Sequence, residues 1–223
     1  MTILAIETSA EHLSLAVARA DEVLESHERV GQRHAELILP AIARLLADAG
    51  SAIEALTAIA FGAGPGSFTG LRIACGVAQG LALARALPVL GVGTLEALAE
   101  ASGAERAVAC LDARMGEVYH AAYRRGARGW IEASAPALVR PAEAPVPGDD
   151  GWVGCGSGFL AHGAALAVRL GGRLARVDPA AVPRASAILK LALPRLAAGA
   201  GRDPAEAVPL YVRDKVALKT HER

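Results

Sequence analysis

The segment Gly62-Ala63-Gly64-Pro65-Gly66-Ser67-Phe68-Thr69-Gly70 concentrates most of the chemistry this chain could advertise. A glycine-rich turn between an apolar strand and a helix start presents free backbone N–H groups and the positive end of a helix dipole, which together make an anion or nucleotide-phosphate contact. The spacing matches neither phosphate-loop pattern. No Lys-Ser/Thr follows the last glycine, and Gly64-Pro65-Gly66 runs on as Ser67-Phe68-Thr69 instead of closing a GxGxxG. A second reading stays open at the same residues: Gly64, Gly66 and Gly70 permit a tight turn and close helix-to-strand packing, with Ser67 or Thr69 capping the helix. Taken alone, the residues favour this second reading. Gly154-Cys155-Gly156-Ser157-Gly158 admits the same two.

Metal and nucleophile chemistry find little support. The histidines are His12, His27, His34, His120, His162 and His221, no two of them four apart, so no HxxxH or HExxH ligand pair exists. His34 stands two residues from Glu36 at a helix start, the pattern of a solvated pair. Ser9, Ser67 and Ser157 lack the G-x-S-x-G frame of a nucleophile elbow. Cys75, Cys110 and Cys155 are odd in number and far apart, which points to a reducing compartment, the cytoplasm. Glu7 and Asp112 each end a strand-like run, where a carboxylate can hold metal-bound water. Glu7, however, is followed by Thr8-Ser9-Ala10-Glu11, with no glycine to let a hairpin wrap phosphates. No catalytic residue, metal or cofactor is expected in the chain by itself.

The elements that position these residues follow from periodicity. Ile3 to Glu7, Leu13 to Arg19 and Glu22 to Val30 read as three opening strands. From Arg33 to Ala49 the sets Leu37, Ala41, Leu45 and Ile38, Ile42, Leu46 repeat every four residues on one helical face, stopped by Gly50. Pro40 belongs to the first turn or to a kink. Leu56 to Phe61 is a strand, Leu71 to Ala86 a helix and Val89 to Val92 a strand, giving the order βββαβαβα. The second half restarts it: residues 107–113 laid under residues 2–8 place Asp112 beneath Glu7 and Val118 beneath Leu13. Prolines 136, 141, 145 and 147 replace the long first helix with a loop. Two duplicated βββαβα lobes, residues 1–103 and 104–223, are the plan of the α/β, actin-like ATPase (ribonuclease H-like) fold. Fold alone does not fix function.

Composition narrows the classes. Of 223 residues, 53% are apolar and 21% charged, too apolar for disorder, and no apolar run is long enough for a bilayer span. The zero net charge hides a split: residues 1–103 hold 6 basic and 11 acidic side chains, a balance of −5, and residues 104–223 hold 17 and 12, a balance of +5. In the second half Arg124, Arg125 and Arg128 form a basic run, read either as a solvated turn or as a nucleic-acid contact. The 51 alanines read as compositional bias. Inside the second helix Gly76, Gly80 and Ala84 make a smooth strip flanked by Ala74 and Ala78. A helical glycine costs about 1 kcal/mol relative to alanine, so something packs very close there: the lobe's own sheet or a helix of a second chain.

Ile3-Leu4-Ala5-Ile6-Glu7-Thr8-Ser9, His34 with Leu37 to Pro40, Gly64 to Arg72, Gly91 to Leu98, Asp112 to Tyr119 and Pro209-Leu210-Tyr211-Val212-Arg213, in this order, make the chain resemble the TsaB (YeaZ-type) family of tRNA threonylcarbamoyladenosine (t6A) biosynthesis proteins. The resemblance runs along nearly the whole length, with Glu7 standing where Asp is frequent. It implies a degenerate relative of the catalytic subunit TsaD, which transfers threonylcarbamoyl to adenosine 37 of tRNAs reading ANN codons. A member of this family is a non-catalytic partner of TsaD, joined by the ATPase TsaE, and it leaves open a nucleotide at the partner interface and tRNA contact through the complex. It also implies docking through first-lobe helices by His34, Leu37, Ile38, Ala41, Leu45, Arg72, Ile73, Gly76, Val77 and Gly80, and a homodimer through the same surface in isolation. The alternative class is a stand-alone actin-like ATPase or kinase, or a peptidase.

Overall fold

The computed structural model describes residues 1–20 and 22–213. The opening strands are β1 (Thr2–Glu7), β2 (His12–Arg19) and β3 (Glu22–Arg29), followed by α1 (His34–Asp48), β4 (Ala58–Gly64), α2 (Phe68–Leu83), β5 (Val89–Gly93) and α3 (Thr94–Ala101). The second set comprises β6 (Arg106–Asp112), β7 (Val118–Gly126), β8 (Gly129–Val139), β9 (Trp152–Cys155), α4 (Ser157–Leu170), β10 (Leu174–Asp178) and α5 (Ala185–Ala197). A short 3-10 turn, Pro141–Glu143, stands where the first half has α1, as the prolines there require, whereas Pro136, expected in that loop, lies in β8, an edge strand where a missing N–H is tolerated. Pro40 lies within α1 and on its exposed side. Gly50, at φ 60°, ends that helix.

Two five-stranded sheets result, ordered β3-β2-β1-β4-β5 and β8-β7-β6-β9-β10. In each the first three strands are antiparallel and the last two join in parallel, so the two lobes share one topology. Strand alternation sorts the core. Leu4 and Ile6 of β1, with Leu13, Leu15 and Val17 of β2, face α1 and α2, whereas Ile3, Ala5, Ala16 and Ala18 face the other way, onto α5. On the second sheet Ala107, Ala109 and Ala121 face α3, and Val108, Cys110 and Ala122 face α4.

The helices between the sheets are exchanged. α3 follows the first sheet but packs its Leu95, Leu98 and Ala99 on the second, while α5 follows the second sheet and packs Ala185, Ile188, Leu189 and Ala192 on the first. Small strand residues let both helices lie close. Glu100 of α3, buried, ties this layer together by accepting from Arg125 (2.7 Å), Lys190 (2.6 Å) and the Trp130 indole (2.8 Å). Among the described residues no helix is long and apolar enough to cross a membrane.

Candidate functional site

α1 and α2 lie side by side on the outer face of the first sheet. α1 turns Ile38, Ala41, Ile42, Leu45 and Leu46 inward, and α2 turns Leu71, Ala74, Cys75, Ala78 and Ala82 inward. Ile38, Ala41 and Leu45 therefore support α1 from below and offer a partner no surface. Leu37, Ile73 and Val77 are half-buried, their inner edges against the core and their outer edges in solvent. His34 is buried, its Nε2 3.1 Å from the His12 carbonyl oxygen, which replaces the solvated pair with Glu36 that spacing predicts. A buried imidazole next to a backbone carbonyl is satisfied without a carboxylate.

The two glycines of the strip decide between the readings left open for them. Gly76 and Gly80 are exposed, and a Cβ built on either meets no atom within 4 Å. The lobe's own sheet is therefore not what they make room for. Together with Arg72, Ile73 and Val77 they form a smooth, mostly apolar surface, to which α2 gives up helix propensity with no return inside the chain.

The glycine loop has a different explanation. Ser67 caps α2, its Oγ accepting from Gly70 N at 3.3 Å. Its own N–H donates to the Ser9 carbonyl at 2.8 Å, and Thr8 Oγ1 donates to the Gly70 carbonyl at 2.7 Å. A Cβ on Gly66 would stand 2.6 Å from Ser9 Cβ, one on Gly64 would stand 2.6 Å from the Leu210 carbonyl oxygen, and one on Gly70 would strike Thr8 O. The glycines thus let the β1–β2 turn and the segment around Leu210 press onto the loop. The Ser67 and Gly70 N–H groups that could meet an anion are thereby bonded within the chain. Phe68 and Thr69 remain exposed at the rim of the loop.

Neither strand-end carboxyl is set up for metal chemistry. Glu7 is fully buried against Gly62; burial raises its pKa, opposed in part by the Ser9 N–H that donates to it. Asp112 is held by Arg114 Nη1 and His162 Nε2, each at 3.3 Å, and accepts from Arg114 N at 3.0 Å. Among the described residues no group of three His, Cys, Asp or Glu side chains could hold a metal ion. Burial pushes the Cys75 thiol up, Cys110 further, and Cys155 up to about 12, so none is a ready nucleophile. In the basic run Arg125 is not a free cation, since it pairs with Glu100 and stacks 4.0 Å over Trp130. The roles of Glu100 and of the contact of Tyr211 with Arg72 leave no local mark in the sequence, because both depend on residues far apart in the chain.

Two equivalent βββαβα-type lobes with helices exchanged between them define an actin-like protein. The family model of TsaD, tRNA N6-adenosine threonylcarbamoyltransferase, matches residues 21–153. The TsaB protein of Escherichia coli K12 is 37% identical over 98% of this chain and 97% of its own, and that of Haemophilus influenzae is 44% identical over 53% of this chain and 52% of its own. The solved YeaZ of Pseudomonas aeruginosa superposes with a TM-score of 0.87 at 40% identity, covering 94% of this chain and 99% of that one. The chain belongs to the TsaB (YeaZ) family of tRNA threonylcarbamoyladenosine biosynthesis proteins.

Proposed function

We propose that this chain is a non-catalytic accessory subunit of the machinery that forms threonylcarbamoyladenosine at position 37 of tRNAs reading ANN codons, and that it docks on a TsaD-type catalytic subunit through its first lobe. The open glycine strip carries this reading. A helix of a partner laid along Gly76 and Gly80 approaches the α2 backbone closely, with Ile73, Val77 and Leu37 as its apolar floor and Arg72 at one end. Burying the exposed edges of such residues returns about 25 cal/mol per Å² of apolar surface. The engaged carboxyls and the internally bonded loop support a role without chemistry of its own.

In this reading the first lobe, residues 1–103, carries the partner surface and the second, residues 104–223, completes the fold. A TsaE-type ATPase joins the pair, tRNA is met through the complex in the cytoplasm, and any nucleotide sits at the partner interface. In isolation the same strip closes a homodimer, which the catalytic subunit displaces.

The test combines calorimetry and a modification assay. Gly80→Leu fills the strip and is expected to weaken binding to a TsaD protein by at least about tenfold; an unchanged affinity puts the interface elsewhere. Omitting the chain should abolish t6A formation by the reconstituted enzymes. ATP turnover by the chain alone would instead favour the stand-alone enzyme.

A further inference from the structure

After α5 the chain returns along the first lobe. Val89 and Arg202 form an antiparallel bridge, their two N–H groups donating across it at 2.9 and 2.8 Å, and Gln79 Nε2 donates to the carbonyls of Pro204 and Ala207 at 3.2 and 3.0 Å. Leu210 N then donates to the Ala63 carbonyl at 2.6 Å. Tyr211 lies against Phe68, ring centroids 5.7 Å apart, and its hydroxyl accepts from Arg72 Nε at 3.0 Å, while the Arg72 guanidinium covers the Phe68 ring at 3.6 Å.

Two residues later the chain reaches the second lobe. Arg213 Nη2 donates to the Ala113 carbonyl at 2.9 Å and pairs with Glu117 Oε2 at 2.8 Å, and its Nη1 lies 3.6 Å from Met115 Sδ. Its side chain is 15% exposed. The turn it grips, Arg114, Met115 and Gly116, has φ of 62°, 57° and 76°, so two residues other than glycine stand in the disfavoured left-handed region. Ala63 lies near the end of β4 and Ala113 just beyond β6. The short run Pro209–Arg213 therefore spans the carboxyl ends of strands in both sheets, where open α/β sheets keep their crevice.

We propose that Pro209–Arg213 is a latch that holds the two lobes together at their strand ends, and that release of Arg213 lets the lobes open about the α3–α5 layer. Among the described residues the other ion pairs that bind lobe to lobe, Arg125 and Lys190 with Glu100, Arg184 with Glu25 and Arg195 with Glu96, all involve α3, α5 or the residue just before α5. Only Arg213 with Glu117 ties the lobes at the strand ends among those residues. The latch borders α2 through Tyr211, yet it is a property of the chain alone and stands apart from the docking reading.

The test uses the full chain without partners. Spin labels on Asp48→Cys in α1 and Ala164→Cys in α4, both exposed, in labelled chain diluted into an excess of unlabelled chain so that distances between protomers do not contribute, report the distance between lobes by pulsed electron paramagnetic resonance; the three native cysteines are buried. Arg213→Ala is expected to lengthen and broaden that distance, and to raise amide exchange in residues 113–118 by about tenfold, the factor that loss of one charge-assisted bond supplies. If Arg213→Ala does not fold, Glu117→Gln, which removes the charge and keeps the volume, gives the same reading. The distance is decisive. Faster exchange at an unchanged distance would mark a frayed turn and overturn the latch, as would no change in either measurement.

Discussion

At Gly70 a methyl group would strike the Thr8 carbonyl, whereas at Gly80, further along the same helix, it would meet nothing within 4 Å. Gly70→Ala is therefore expected to destabilise the chain by about 2 kcal/mol through overpacking. Gly80→Ala should stabilise it by up to about 1 kcal/mol through helix propensity. Urea denaturation of the two variants at concentrations too low for a homodimer checks both signs, and a destabilised Gly80→Ala would mean that the strip is used within the chain. Glu7 is the other residue whose environment sets its chemistry. Burial holds its pKa above the ordinary 4.5, with the Ser9 hydrogen bond acting against that, so the fold favours its neutral form. The stability this gives is present below pH 4.5 and is lost as pH rises through the raised value. Glu7→Gln, neutral throughout, should gain stability relative to the native chain as pH rises from 4 to 7, followed by thermal melts; a constant difference would show that folding leaves the Glu7 pKa unshifted. The type and spacing of Glu7 were legible in the sequence, but its state was not, because desolvation depends on what packs over it.

Among the elements, α5 shows how far a helix can draw on distant sequence. Arg184, its N-cap, supplies no side-chain cap. The free N–H groups go instead to the first lobe: Ala185 N donates to Ser14 Oγ at 2.9 Å and Ser186 N to Glu25 Oε1 at 3.0 Å, and Arg184 forks onto Glu25 Oε2. Burial raises the Glu25 pKa, but donors from Arg184 and Ser186 outweigh it and the net shift is downward. A lowered carboxylate contributes stability above its ordinary 4.5 that is lost as pH falls through the depressed value. Glu25→Gln is expected to cost about 1–2 kcal/mol at pH 7, an effect that shrinks towards pH 3. An equal cost at both pH values would mean that shape and not charge holds the cap. Element order and most boundaries could be read from period and turn residues, the proline-rich replacement of α1 included. That the carboxylate of β3 caps a helix 161 residues away could not.

In the whole molecule the exchanged helices decide the character of the fold. The face of the first sheet formed by Ile3, Ala5, Ala16, Ala18, Ala58 and Ala60 is covered by α5, a product of the second half of the chain. Residues 1–103 expressed alone would expose that face, a contiguous apolar patch of the kind that drives aggregation. The fragment is expected to aggregate or to lack a cooperative transition, and the full chain to unfold in one step by calorimetry; two separate transitions would show the lobes to be independent. The exchange also gives the alanine-rich composition a partial role, since many alanines line the faces on which α3 and α5 lie close. The sequence by itself determined the strands, the helices and their duplicated order, because these rest on short-range periodicity, and its ordered motifs pointed to the family. Only the tertiary structure decided which sheet each inner helix covers, that the glycine loop is packed by the β1–β2 turn while the Gly76–Gly80 strip stands open, and that Arg213 reaches the second lobe. Those outcomes turn on packing and desolvation between residues that meet only in the folded chain, or on the absence of any neighbour, and no local pattern encodes either.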